Sequence, residues 1–523
     1  MSAVAGVAPG VVRSLHWPLG AELLLVLLAG GAHVAAFSLP GSAGLQTGCV
    51  AVLAWRVAAS SRPLRAAWLG AAFSLAWLVG GVWWLFISMH RYGGMPAWLA
   101  GLAVLLLCAF LSLYLALAMA ACVRWRPASP WAAAPLFASA WLLAELARGV
   151  LFTGFPWAAA GYAHVDGALA ALAPWLGVYG IGAWAALVAA LLALAVGGLG
   201  RVRVAAGLAA MALWWLPQTL PGDFTQASGR LSVALLQGNV PQEQKFEPDL
   251  QPQALAWTVS ELLAARVDLA LAPETAIALL PQQLPEGFWQ GLVDAFAGEH
   301  AALVGIPLGN AESGYTNSAI GLSGAARSAP GGFFRYDKHH LVPFGEFIPP
   351  GFRWFVDLMN MPLGDFNRGP LAAPSFEVRG ERVAPNICYE DLFGEELATR
   401  FVDASRAPTV LANLSNIAWF GESVAIAQHL QISRMRTLEL QRPMLRATNT
   451  RATAIVDHRG VVTHALQAHS RGVLRGEVDG RSGTTPFAWW AGRAGLWPLG
   501  LGAAAVWLAA VLGARRRPRE GRA

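Results

Sequence analysis

Three stretches of this chain end an apolar run on a group that can do chemistry. VDLALAPETA delivers Glu274, GGFFRYDKHHLVPFGE delivers Lys338 and RVAPNICYED delivers Cys388. A cysteine attacks a carbonyl carbon only as thiolate, which needs a base to take its proton and a positive or dipolar surrounding to hold the charge. Glu274 can be that base. Lys338 can hold the charge and, with a backbone N–H near the nucleophile, stabilise the oxyanion of a tetrahedral intermediate. Singly, each residue has an ordinary reading: Glu274 as a solvated loop carboxylate, Lys338 as part of a basic surface cluster, Cys388 as a core thiol. His339 and His340 suggest metal, but no further ligands follow at zinc spacing, so no metal or other cofactor is expected.

The three residues are 64 and 50 positions apart, so a fold must bring them together. The runs RLSVALLQGNV, VDLALAPETA, AALVGIP, RVAPNICYED and PTVLANLSN are short, apolar and closed by Pro, Gly or Asn. Separated by helix-like stretches at 250–266 and 422–441, they read as buried strands of an α/β domain over residues 221–490. Sites in such sheets gather outside the carboxyl ends of strands, where all three candidates fall. No internal repeat is visible.

The rest of the chain is a different polymer. Of 523 residues 56% are hydrophobic, and mean hydropathy is +0.47. Apolar stretches at 23–39, 42–55, 66–89, 97–123, 131–150, 168–200, 204–220 and 494–514 approach or exceed the roughly 20 residues of a membrane span. About eight spans follow: seven in residues 1–220 and one in 491–523, which ends in a basic tail. The first 220 residues carry ten arginines, no lysine and three acids, a net charge of +7. Arg13, Arg56, Arg62, Arg65, Arg124, Arg126, Arg201, Arg203 and Arg515–Arg517 recur at every second connection, placing both termini in the cytoplasm and 221–490 outside it. Arg91 and Arg148 are exceptions. This placement removes nucleic acid as the reason for the basic balance. The first run, preceded only by Arg13 and His16, reads as an uncleaved helix, since further spans follow directly. Cys49, Cys108 and Cys122 lie in apolar runs, and no disulfide framework is expected. Glu145 and Arg148, three apart within a span, read as a mutual pair near the interface.

APETA, DKHHLVPFGEF, NICYED and SNIAWFGES resemble the Glu-Lys-Cys signature of the nitrilase superfamily. With the predicted spans and ALLQGNVPQEQKF, nearly the whole chain is similar to the apolipoprotein N-acyltransferases, membrane enzymes that complete lipoprotein triacylation in bacteria. The resemblance implies an inserted nitrilase-like αββα sandwich, with Glu274 as base, Lys338 as oxyanion-stabilising cation and Cys388 as nucleophile. By the same resemblance Glu346, Glu390 and Asn317 support the site, and Tyr389 supplies the backbone N–H. Phe246, Trp419, Phe420, Trp354 and Phe355 are candidates for substrate contact. Two positions depart from the pattern: Ile417, where an acid is expected, and Phe246, where tryptophan is common.

The implied reaction is ping-pong transfer of an acyl chain from a phospholipid to the amine of a diacylglyceryl apolipoprotein, in the inner membrane with the catalytic domain in the periplasm; a monomer is the default expectation. The apolar stretch 344–366, with Phe352, Trp354, Phe355, Leu358, Met359, Met361 and Leu363, reads either as a core helix or as a lid touching the outer leaflet. Two other functions fit parts of the sequence: a membrane-tethered amidase with water as acceptor, and a transporter carrying an inert domain.

Overall fold

The structure, a computed structural model, describes residues 17–353 and 365–515. Trp354, Phe355, Leu358, Met359, Met361 and Leu363 of the proposed lid lie outside the described residues, as do Arg13, His16, Arg516 and Arg517.

The first half is helical wherever the sequence is continuously apolar: α1 (Leu19–Ala35), α2 (Ala43–Ala59), α3 (Pro63–Val82), α4 (Ala97–Arg124), α5 (Pro130–Val150), α6 (Ala173–Gly197) and α7 (Gly200–Trp215). Pro63 and Pro130 open their helices, where the missing N–H costs nothing. Among the described residues four helical stretches are long and apolar enough to cross a membrane: Pro63–Val82, Ala97–Arg124, Pro130–Thr153 and Ala168–Gly197. A fifth is made if Pro486–Ala494 and Trp497–Leu512, bent by 87°, count as one. The runs expected as eight spans correspond to eight helical segments, of which α1 and α2, at 17 residues, and α7, at 16, are short for a full crossing. The run 168–200 is also not one helix. It begins as a 3-10 turn at Ala168–Leu172, and α6 breaks at Gly177, whose φ of 67° suits glycine and where a Cβ would meet the Phe487 ring at 2.3 Å.

Not every arginine between the helices is a free topology charge. Arg56 is buried in an ion pair with Glu22, which also meets Arg65 at 2.6 Å. Arg126 closes the end of α2 by donating to the carbonyls of Val57, Ala58 and Ser60.

The second half holds two six-stranded sheets. β1 (Thr225–Gln237), β2 (Leu269–Ala272), β3 (Ala301–Asn310), β4 (Gly314–Leu322), β5 (Phe334–Asp337) and β12 (Gly472–Gly483) form the first, in the order β12-β1-β2-β3-β4-β5. β6 (Phe376–Val378), β7 (Glu381–Ile387), β8 (Val410–Ser415), β9 (Met444–Thr448), β10 (Ala454–Val456) and β11 (Val462–Ala465) form the second, in the order β6-β7-β8-β9-β10-β11. Both run antiparallel, parallel, parallel, antiparallel, antiparallel, so one topology occurs twice although no sequence repeat is visible.

Alternation explains the layers. Leu231, Val233, Leu235, Leu269 and Leu271 face Val383, Ile387, Val410, Ala412 and Leu414 between the sheets. Ala234, Leu236, Ala270 and Ala272 face outward against Leu262 of α8 (Gln251–Ala264) and Leu292 and Val293 of α9 (Phe288–Ala295). On the other sheet, α10 (Ala425–Leu440) and α11 (Pro486–Ala494) complete an αββα sandwich, and α12 (Trp497–Arg515) follows. α10 is polar in composition yet mostly buried, because it lies between the sandwich and the helical half. Ala425, Ile432 and Met435 join the helical core, as do Tyr389, Leu392 and Phe393 beside the candidate nucleophile.

Candidate active site

Glu274 follows β2, Lys338 follows β5 and Cys388 follows β7, each at a carboxyl end. The Glu274 loop leans on β3, where only a glycine fits: a Cβ on Gly305 would meet the Pro273 carbonyl at 2.4 Å and the Glu274 Cα at 2.7 Å. Lys338 is held by its own N–H, which donates to the Asn317 carbonyl at 2.9 Å. Cys388 sits on a sharp strand-to-helix turn at a φ of 52°, a left-handed conformation that a non-glycine residue keeps only where its surroundings enforce it.

The side chains converge. Lys338 Nζ lies 2.9 Å from Glu346 Oε1 and 3.6 Å from Glu274 Oε1. Asn317 Nδ2 donates to the same two oxygens, at 2.7 and 2.8 Å, and the Asn416 N–H donates to Glu274 Oε2 at 2.8 Å. Val342 N–H donates to Glu346 Oε2 at 2.8 Å, so both Glu346 oxygens are hydrogen-bonded. Burial works against the charge on Lys338, but Glu346 and then Glu274 outweigh it and hold the ammonium above its ordinary value. Burial and Glu274 push the Cys388 thiol up, while Lys338 and the Asn416 N–H pull it down. At rest the thiol keeps its proton. Transfer of that proton to Glu274 moves one negative charge within the cluster without changing its sum, which a buried site tolerates best.

Glu390 does not face this cluster. Its oxygens accept from Tyr336 OH at 2.7 Å and from the N–H groups of Ile387, His339 and His340 at 2.6, 2.8 and 3.2 Å. It clamps the turn before Cys388 to the segment after Lys338. Tyr389 reaches the helical half, its OH donating to the Gly154 carbonyl at 3.2 Å. His340 does likewise, with Nε2 3.1 Å from the Thr153 carbonyl and Nδ1 2.9 Å from Glu396, and His339 Nδ1 lies 2.8 Å from the Gly369 carbonyl. Trp419 and Phe420, half-buried, meet aromatic rings of the helical half: Trp419 with Tyr92 at 5.7 Å, Phe420 with Trp84 at 4.3 Å. Ile417, at the departure from the expected acid, is buried. Phe246 is half-buried in the loop after β1.

Its neighbour Lys245 went unassigned in the sequence, although it stands in the motif PQEQKF. It is buried, its Nζ donating to the Glu274 carbonyl at 3.0 Å, and burial lowers it to about 8 against the pull of Glu274 and Cys388. With both lysines protonated the four charges of Lys245, Lys338, Glu274 and Glu346 balance. Lys245, Thr275 and Asn449 also line a cavity of about 40 Å³ behind the Glu274 loop. Asn416, after β8, had only its place at a strand end to mark it; its side chain ties Gln242 to Asn449.

Comparison with known proteins agrees with this division into halves. Residues 29–191 match the apolipoprotein N-acyltransferase N-terminal domain, and residues 232–487 match the carbon-nitrogen hydrolase family. An apolipoprotein N-acyltransferase of Verminephrobacter eiseniae is 52% identical, over 94% of this chain and 92% of its own. Those of Ralstonia nicotianae and Bordetella bronchiseptica are 47% and 40% identical, over 94% and 95% of this chain and 93% and 97% of theirs. The chain belongs to the apolipoprotein N-acyltransferase family.

Proposed function

We propose that this protein N-acylates lipoproteins through a thioester on Cys388. The observation that carries the reading is the convergence of Glu274, Lys338 and Cys388 on a turn whose next residue is bonded to the apolar helical half. A soluble substrate would not call for that attachment; a lipid one would. Cys388 gives its proton to Glu274 and its sulfur attacks the ester carbonyl of a phospholipid. The carbonyl electron pair moves to oxygen, opposite Lys338 and the Tyr389 N–H. Its return expels the alkoxide, which takes the proton from Glu274 and leaves as lysophospholipid. The α-amine of a diacylglyceryl lipoprotein then attacks the thioester, Glu274 accepts the amine proton, and Cys388 departs as thiolate when the amide forms.

In this reading Glu346 and Asn317 hold Lys338 and Glu274 in register, Glu390 fixes the nucleophile turn, and Phe246, Trp419 and Phe420 border the path of acyl chain or peptide. Residues 1–220 and 491–523 form the membrane part with about eight spans, of which α1, α2 and α7 cross only a thinned section. Residues 221–490 stand on the periplasmic side of the inner membrane, with both termini cytoplasmic, and the protein works as a monomer. Intact mass spectrometry of the purified protein with phospholipid, beside Cys388→Ala, tests the reading. A fatty-acyl adduct that needs Cys388 and disappears only on adding a diacylglyceryl lipopeptide is expected. An adduct that decays equally in water alone makes the protein a tethered hydrolase instead.

A further inference from the structure

Against Cys388 lies a buried polar chain that the acyl-transfer scheme leaves without a task. His429 of α10 places Nε2 3.1 Å from the Cys388 carbonyl oxygen. Its Nδ1 lies 3.0 Å from Arg446 Nη2, on β9. A guanidinium can only donate, so Nδ1 accepts, the single ring proton sits on Nε2, and His429 donates to the Cys388 carbonyl. Arg446 is in turn held by Asp391 Oδ2 at 3.3 Å, with Ser433 bonded to both. Arg446, Asp391 and Ser433 are fully buried and His429 is 1% exposed. Burial and the Arg446 charge hold the imidazole well below its ordinary value, so it remains the neutral tautomer that this geometry needs. From the helical half, Trp157 stacks on the ring at 5.8 Å with the planes 8° apart. The indole N–H of Trp157 meets Gln428, the residue before His429, at 2.8 Å.

The Cys388 carbonyl and the Tyr389 N–H are two ends of one peptide group. We infer that His429 is a positioning residue for acyl transfer: by donating to the Cys388 carbonyl, it orients and polarises the peptide whose N–H binds the oxyanion, with Asp391 and Arg446 fixing its tautomer. A hydrogen bond to a peptide oxygen draws charge through the amide and strengthens its N–H as a donor. It also helps to fix the plane of this peptide, whose carbonyl accepts a second, longer bond from Asn413 Nδ2 at 3.4 Å. When the Cys388 sulfur adds to the ester, charge accumulates on the substrate oxygen and this N–H shortens toward it. His429 acts at that moment without touching substrate.

The inference rests on the thioester reading, and two reactions of Cys388 separate them. Acylation by phospholipid needs an oxyanion site; alkylation by iodoacetamide displaces iodide and needs none. Both rates are measured by intact mass on the full-length protein in detergent, for wild type, His429→Gln and His429→Asn. The glutamine amide reaches the position of Nε2, whereas the asparagine amide is too short. Acylation is expected to fall roughly tenfold or more in His429→Asn and to recover most of the way in His429→Gln, with alkylation unchanged in both. If His429→Asn does not accumulate, His429→Leu takes its place, and retained alkylation reports an intact turn. Equal losses in both reactions would reduce His429 to a structural partner of a buried carbonyl, and an acylation rate equal to wild type would remove it altogether. A wild-type protein that forms no Cys388-dependent adduct refutes the thioester reading, whereas an adduct indifferent to His429 refutes this inference alone.

Discussion

Asn317 Nδ2 donates to Glu274 Oε1 at 2.8 Å and, through the same nitrogen, to Glu346 Oε1 at 2.7 Å. One amide thus separates two carboxylates that would otherwise repel across a buried space, and the Lys338 ammonium lies 2.9 Å from Glu346 and 3.6 Å from Glu274. Replacing the donor by a third carboxylate should drive a proton onto one of the three and remove the base. Asn317→Asp is therefore expected to lower the acylation rate by roughly a hundredfold, and Asn317→Ala by less. Single-turnover acylation followed by mass spectrometry measures both. Wild-type speed in Asn317→Asp would mean that Glu274 does not act as the base.

Gly305 makes a second prediction, about position and not charge. A Cβ there would press on the Pro273 carbonyl and on Glu274 itself, and β3 is too well paired on both sides to give way. The loop would move instead. For Gly305→Ala, a displacement of about 1 Å at the base is expected to cost on the order of a hundredfold in acylation. The thermal midpoint should fall only modestly, so that rate and stability separate. A large drop in midpoint with an unchanged rate in the folded fraction would contradict this.

Much of this arrangement was legible because strands obey short-range rules. LALA of β2 alternates Leu inward and Ala outward, and the next polar residue is Glu274. What stayed hidden depends on partners distant in sequence. Lys245 stands in a loop with no periodicity, and only the carbonyl of Glu274, 29 residues on, explains its burial. The stretch 422–441 read as a helix, but nothing in it told that Gln428, His429, Ser433, Arg436 and Glu439 would be buried. Each of them finds a polar partner in the core, Glu439 accepting from the Val178 N–H of α6 at 2.7 Å. The duplicated sheet was invisible because the two copies share hydrogen-bonding order and not residue types. The span count could not be fixed from sequence because apolarity marks burial in a helical bundle as well as in lipid.

Lys245 gives a pH dependence whose direction can be stated. Its value falls from 10.5 in the free state to about 8 in the fold, with burial as the main cause. Between those limits the unfolded chain holds a proton that the folded chain has released, so this residue's contribution to stability rises with pH across the window. Below pH 8 the ammonium is carried in both states and the desolvation cost is felt in full. The difference in thermal midpoint between wild type and Lys245→Met should therefore move in favour of wild type from about pH 7.5 to about pH 9.5. A difference that is flat over this range would show that Lys245 keeps its proton throughout.

Glu145 and Arg148 make the last prediction, because the pair does more than balance itself. Arg148 Nη1 donates to the carbonyls of Phe155 and Trp157 at 3.1 and 2.6 Å, and Glu145 Oε1 accepts from the Ala160 N–H at 2.7 Å. The loop so held presents the Thr153 and Gly154 carbonyls to His340 and Tyr389. Arg148→Leu leaves Glu145 buried without its ion-pair partner and should cost ~3–5 kcal/mol, whereas the double variant Glu145→Leu/Arg148→Leu removes both charges and should regain much of that stability. Neither variant restores the bonds that anchor the loop. The double variant is therefore expected to melt close to wild type and still acylate slowly, a split that thermal melting and single-turnover acylation on one preparation would reveal. Recovery of rate together with stability would mean that the loop finds its place without the pair, and that the pair is an internal matter of α5.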